Sequence, residues 1–210
     1  MTFTVAQIDK LREKISGILS DFRLNHTLGV ERMAARLTKL YCPEKELLLR
    51  AAALLHDVTK EYSLEAQLSV FEKYGVQPSS EQLAVPPTIH AYTAALIIPD
   101  EYPDFADTEL IDAVRYHSTG RTDMTLSDKI IYLSDYIEDT RKYEDCIALR
   151  EEFFSAEPQK MNEKERIAHL NRVLLHSIEI TVEDLTDKGK TIELGTLEAA
   201  ESLRKELEND

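Results

Sequence analysis

Residues 47–57 read LLLRAAALLHD, and only Arg50 interrupts the apolar run before the His56–Asp57 pair. At about 3.6 residues per turn, such a run is apolar nearly all round a helix, so other elements must surround it. The stretch therefore predicts the buried central helix of a helical protein. It ends, however, on two strong metal ligands, and polar groups withdrawn from water are costly unless something satisfies them. The end of the central helix is the first place to look for chemistry.

Working outward, helical patterning recurs along the chain. Val5, Ile8, Leu11, Ile15, Ile18 and Leu19 predict a first helix over about residues 4–22. Val30, Met33, Ala34, Leu37, Leu40 and Tyr41 predict a second from Asn25 to Tyr41, with His26 one turn before Val30 on the same face. Cys42-Pro43-Glu44 is a break and a helix start. Residues 62–75 read as a helix stopped by Gly75, and QPSSEQLAVPPT (77–88) as a loop. Thr88 is a cap for a short helix from His90 to just before Pro99, and Asp107 or Thr108 caps one that closes at His117. After the loop HSTGRTDM (117–124), Thr125 with Asp128 forms a capping box for LSDKIIYLSDYIED (126–139). A helix near 161–180 and an amphipathic stretch from Leu197 to Leu207 follow. The expectation is an all-α fold with a core over 1–155. A helical extension over 156–210 would pack on that core or on a partner subunit, as in a homodimer.

Composition agrees: 43% hydrophobic and 30% charged residues, no Trp, six Gly and seven Pro. No apolar run approaches the roughly 20 residues that span a bilayer, so no membrane association is expected. The N-terminus lacks a basic start followed by an apolar stretch, which argues against a signal peptide. Cys42 and Cys146 alone make no disulfide framework, and a reducing cytoplasm is the simplest setting. A formal net charge of −14 argues against nucleic-acid binding. An acidic protein can still act on an anionic substrate where metal ions and a few cations reverse the field in one cleft.

The His and Asp residues fall at informative places. His26 projects from a core face, His56 and Asp57 end the central helix, His90 opens a helix, His117 closes one, and Asp135 lies between Leu133 and Ile137. One His on an apolar face is more often a hydrogen-bonded core residue than a ligand. Joint occurrence on inward positions of several helices is how helical folds build interior metal sites. His169 and His176 are different: seven residues apart on one helix puts them about 10 Å apart along its axis, too far to share an ion.

His26, His56-Asp57 and Asp135 match the H…HD…D pattern of the HD-domain phosphohydrolase superfamily, and His90 and His117 match its two-metal subgroup. More narrowly, LLHDVTK (54–60), RYHSTGR (115–121) and DKIIYLSDYIEDTR (128–141) resemble the bacterial YqeK-type family of symmetrical dinucleoside tetraphosphate hydrolases. The resemblance covers about residues 20–150, with Ser118 where Thr is common and Asp139 where Pro is common. It implies an HD-domain helical bundle with an interior metal site that cleaves diadenosine tetraphosphate symmetrically to two ADP. The cofactors implied are two transition-metal ions, with iron favoured and manganese or zinc compatible with the ligands. His26, His56, Asp57 and Asp135 are assigned to one metal, and His90, His117 and a bridging Asp57 to the other. Among the cations, Lys60 and Arg121 are assigned with Asp57 to catalysis. Substrate binding falls to Lys60, Gly120, Arg121, Lys129 and Arg141, since Arg offers bidentate contacts and Gly120 lets the backbone approach phosphate. Alternatives are another HD-type nucleotide phosphohydrolase or phosphodiesterase, and a nucleotide-sensing module without turnover. An intact ligand set disfavours the last.

Overall fold

A computed structural model describes residues 3–209, and among these the regular elements are helices and short 3-10 turns, with no strand. The helices are α1 (Val5–Ser16), α2 (Asp21–Tyr41), α3 (Glu46–Leu55), α4 (Leu64–Lys73), α5 (Ser80–Ala84) and α6 (Ile89–Glu101). They continue with α7 (Thr108–Arg115), α8 (Leu126–Ile137), α9 (Glu144–Ser155), α10 (Glu163–Asp187) and α11 (Leu194–Glu208). The apolar run makes α3 the centre, as its sequence demands. Leu49 and every residue from Ala51 to Leu55 are fully buried, with α1, α2, α7 and α8 packed around them. Arg50, its one interior charge, pairs with buried Glu31 at 2.9 Å, and Glu31 also takes Arg12 at 2.6 Å. A buried carboxylate shared by two guanidiniums is compensated, which lets a charge persist on the central helix.

Local signals set most boundaries. Thr125 and Asp128 form the predicted capping box of α8, and Asp107 caps α7 through the N–H groups of Glu109 and Leu110. The single helix expected over 4–22 is instead two elements. Gly17 closes α1, and Ser20 caps α2 by accepting from the Arg23 N–H, so α2 begins four residues before Asn25. Pro99 does not stop α6, which runs on to Glu101. So near the end a proline removes one helix bond, and buried Ile97 and Ile98 hold the last turns in place. Thr88 stands at the N-cap of α6 without capping it, because its hydroxyl donates to Val85 O and Glu193. α10 packs on α8 and α9, and α11 on α10. Leu170, Val173, Leu174, Ala199 and Leu203 of this pair join the same buried core as α3.

Candidate metal centre

Five elements deliver the polar residues to one place. His26 comes from the second turn of α2, His56 and Asp57 from the turn ending α3, His90 from the start of α6, His117 from the turn after α7, and Asp135 from α8. Three of the four imidazoles use the same local device. Nδ1 of His56, His90 and His117 lies 2.6, 2.8 and 2.7 Å from the carbonyls of Ala53, Pro87 and Val114, each three residues earlier. A carbonyl only accepts, so Nδ1 carries the proton and the Nε2 lone pair is left inward. Those Nε2 atoms converge: His90 and His117 are 3.1 Å apart, and the His56 and His117 rings meet edge to face at 4.9 Å. His26 differs, with Nδ1 held 3.1 Å from the carboxylate of Glu138.

Asp57 lies between these imidazoles. Its Oδ1 is 3.1 Å from His90 Nε2 and 3.7 Å from His117 Nε2, while Oδ2 is 3.4 Å from His56 Nε2 and 3.7 Å from His26 Nε2. Asp135 reaches His26 Nε2 at 2.9 Å and His56 Nε2 at 3.9 Å. The fit to metal can be tested on the leftover donors. Nε2 of His26 and of His56 are buried without a hydrogen bond, although carboxylate oxygens lie nearby. Atoms close together yet not aligned to bond one another are what a shared cation would organise. Among the described residues three groupings could hold an ion, His26–His56–Asp57, Asp57–His90–His117 and His56–His117–Asp135, each with its atoms within 4.8 Å of one another. An imidazole and carboxylate set of this kind suits iron, manganese or zinc.

The electrostatics split the cluster. Burial pushes His90 down to about 4 and lowers His117 as well, so both are neutral ligands in waiting. Burial also opposes charge on His26, but Asp135 and Glu138 outweigh it and raise its pKa to about 9. Burial disfavours ionised Asp57 and Asp135, yet neighbouring His56 in the first case and Arg141 in the second hold both well below the carboxylate range.

The predicted cations divide in the same way. Lys60 stands at the cluster, its Nζ 3.2 Å from both ring nitrogens of His90, and burial lowers its pKa. Arg141 grips Asp135 twice, at 2.6 Å through Nε to the carbonyl and at 2.6 Å through NH2 to the carboxylate. Arg121, Gly120 and Lys129 have their contacts elsewhere. Arg121 is held by Asp128 at 2.8 Å and Asp112 at 3.2 Å and lies over the Tyr116 ring. Gly120 adopts φ 68°, and a Cβ there would meet that of Ala199 at 2.8 Å, so its glycine serves the contact with α11. Lys129 is buried and paired with Glu206 of α11 at 2.5 Å. Two residues at the site went unpredicted. Arg23 reaches Asp57 Oδ2 at 2.5 Å, and fully buried Glu138 holds His26. Arg23 lies three residues before His26 on α2, and Glu138, just past the end of α8, three after Asp135, a spacing that shares a face. His169 bonds Phe153 O and His176 pairs with Glu152, both away from the cluster.

An interior His/Asp cluster walled by helices is how a helical fold builds a metal site. The chain belongs to the HD-domain family, whose model matches residues 23–140. More narrowly, it resembles three proteins named symmetrical bis(5'-nucleosyl)-tetraphosphatase. That of Halalkalibacterium halodurans is 33% identical over 60% of this chain and 65% of its own length, so the match spans just under two thirds of that relative. The Bacillus subtilis protein is 29% identical over 83% of this chain and 85% of its own, and the Staphylococcus aureus protein 31% over 64% and 68%. A crystal structure from Clostridium acetobutylicum, described as a predicted HD superfamily hydrolase involved in NAD metabolism, superposes with a TM-score of 0.81. It is 28% identical and the alignment covers 94% of this chain and 97% of that one. No helix among the described residues is long and apolar enough to cross a membrane.

Proposed function

We propose that this chain hydrolyses dinucleoside tetraphosphates symmetrically, cutting diadenosine tetraphosphate into two ADP in the cytoplasm. The observation that carries the reading is the division of Asp57, whose two oxygens face different imidazole groups, as a carboxylate bridging two metal ions would. His26, His56, Asp57 and Asp135 would hold one ion, and Asp57, His90 and His117 the other, with iron our choice for both. When bound, two such ions lower the pKa of water toward neutrality and neutralise phosphate oxygens. The names of the three relatives supply the substrate class.

The protein's own groups have definite work in this scheme. Asp57 and Asp135, held ionised, stay available as ligands at neutral pH. Lys60 stands close enough to the cluster to donate to a phosphate oxygen there, and Arg23 and Arg141 add guanidinium donors around the same carboxylates. Buried Thr59, bonded to His90 O and Thr93, fixes the turn that carries Asp57 and Lys60. The departing ADP leaves through a phosphate oxygen that is a stable anion, so no strong general acid is required. Attack on the second phosphorus from the nucleoside makes ADP the only nucleotide product.

A product assay on the metal-loaded protein tests this. Chromatography should show ADP alone from diadenosine tetraphosphate, and heavy-oxygen water should label one ADP of each pair at its terminal phosphate. AMP plus ATP, or no cleavage of any dinucleoside polyphosphate, overturns the proposal.

A further inference from the structure

Beside the cluster, two cavities meet at Arg141 and Tyr143. The larger, about 420 Å³, lies between the start of α2 and the segment joining α8 to α9, and reaches His26 at its inner end. Its rim carries Phe22 and Tyr143, which are 80% and 69% exposed. No other large hydrophobic side chain among the described residues is as exposed as these two, and both line one cavity that ends at the metal cluster. Aromatic faces left in water at a polar, concave site need a planar partner to cover them.

The charge in this cavity is opposite to that of the molecule. The chain carries −14 overall, yet Arg23, Arg141 and Lys142 all line the cavity. Its one carboxylate, Glu138, is turned inward and accepts from His26 and from the Thr140 hydroxyl and N–H. Arg23 spends NH1 on Asp57 but keeps a buried Nε without a partner, so a donor is left over. Two aromatic faces outside, cations along the wall and a metal cluster at the end make a graded site for a planar base on an anionic tail.

We propose that this cavity is the nucleoside end of the substrate site. Phe22 and Tyr143 stack the nucleobase, and Arg23 and Lys142 receive the phosphates as they pass Arg141 toward the cluster. The inference rests on the proposed nucleotide phosphohydrolase reading and adds to it the residues that recognise the base. Stacking accepts any base face, so the site selects for a nucleobase and little among bases.

Calorimetric titration of the metal-loaded protein with ADP and with inorganic diphosphate tests it. Phe22→Ala and Tyr143→Ala are each expected to weaken ADP roughly tenfold, the order of effect of a lost base stack. Diphosphate binding should be unchanged, and Phe22→Tyr and Tyr143→Phe should restore ADP. Both side chains are largely exposed, so the fold does not depend on them. Equal loss of ADP and diphosphate, or loss of neither, overturns the inference. If the wild-type protein binds ADP through these residues but cleaves no dinucleoside tetraphosphate, the substrate reading falls and this base site stands.

Discussion

The two halves of the cluster are built from the same side-chain types and kept in opposite states. Around His90 and His117, backbone carbonyls fix Nδ1–H and burial keeps the rings neutral, so each Nε2 lone pair is ready for an ion. Around His26, by contrast, the carboxylates of Asp135 and Glu138 favour the imidazolium, against burial and the opposing charge of Arg141. The difference teaches how a helical interior tolerates so many polar groups without metal. One half avoids charge by desolvation, and the other compensates charge with charge. An ion entering the second half must expel a proton, and one entering the first need not.

Asp57 turns one oxygen to each half, so its removal is the severest way to break the contrast. Asp57→Ala should reduce turnover to background and lower metal content in both halves, read by elemental analysis beside the product assay. A variant that keeps either full metal content or activity would show that Asp57 does not join the halves.

The next test acts on the charged half alone. Removing Glu138 takes away the carboxylate that orients His26, a type of change that costs about 10–100-fold in metal affinity. Glu138→Ala should therefore weaken one ion by about that factor and leave the other, measured as two separable steps in a metal titration. Gly29→Ala should imitate it, because a Cβ at Gly29 would lie 2.1 Å from Glu138 Oε2 and force that side chain to move. The metal-free protein also carries a pH signature. His26, raised to about 9, contributes stability that is present below the unfolded value near 6.5 and lost as pH rises toward 9. His90, lowered to about 4, acts in the other direction, and stability falls as pH drops from about 6.5 toward 4. Melting temperatures of metal-free protein should thus peak near neutral pH, and Glu138→Ala should flatten the alkaline limb. An alkaline limb unchanged in that variant would show that Glu138 does not hold the His26 proton.

Much of this contrast could be read before the fold was known, and its limits have a physical cause. His26, His56, Asp57, His90, His117 and Asp135 stand on core-facing positions or at the ends of helices that the apolar period locates, and the fold gathers them. Glu138 and Arg23 shared those faces at a spacing of three, but a charged residue at a helix end is usually solvated. What decides otherwise is Gly29 on a different helix, whose missing side chain gives Glu138 room. Arg121 and Lys129 stand apart from the cluster for the reverse reason. Nearness in sequence to His117 and Asp135 is not nearness in space once Gly120 turns the loop at positive φ and α11 closes over it. The end of α1 and the continuation past Pro99 likewise depended on a cap and on burial, which a period of 3.6 does not encode.

The smallest expected effect follows from that separation. Lys60 stands against His90, in the neutral half, and Lys60→Ala should lower kcat/KM by about 10²–10³-fold, as loss of a donor to developing charge does. Arg121 belongs to neither half, because Asp128 and Asp112 already take its guanidinium. Arg121→Gln should leave kcat/KM within about threefold. Its consequence should fall on stability. Asp128 is buried and caps α8 through the Thr125 N–H, so an unpaired carboxylate there strains the start of the helix that carries Asp135. A destabilisation of about 1–3 kcal/mol is expected from denaturant unfolding. A large loss of kcat/KM in Arg121→Gln with its fold and metal content intact would place that guanidinium on the substrate during turnover. The loop after His117 would then have to swing away from Asp128, and the division into a neutral and a charged half would no longer describe the working site.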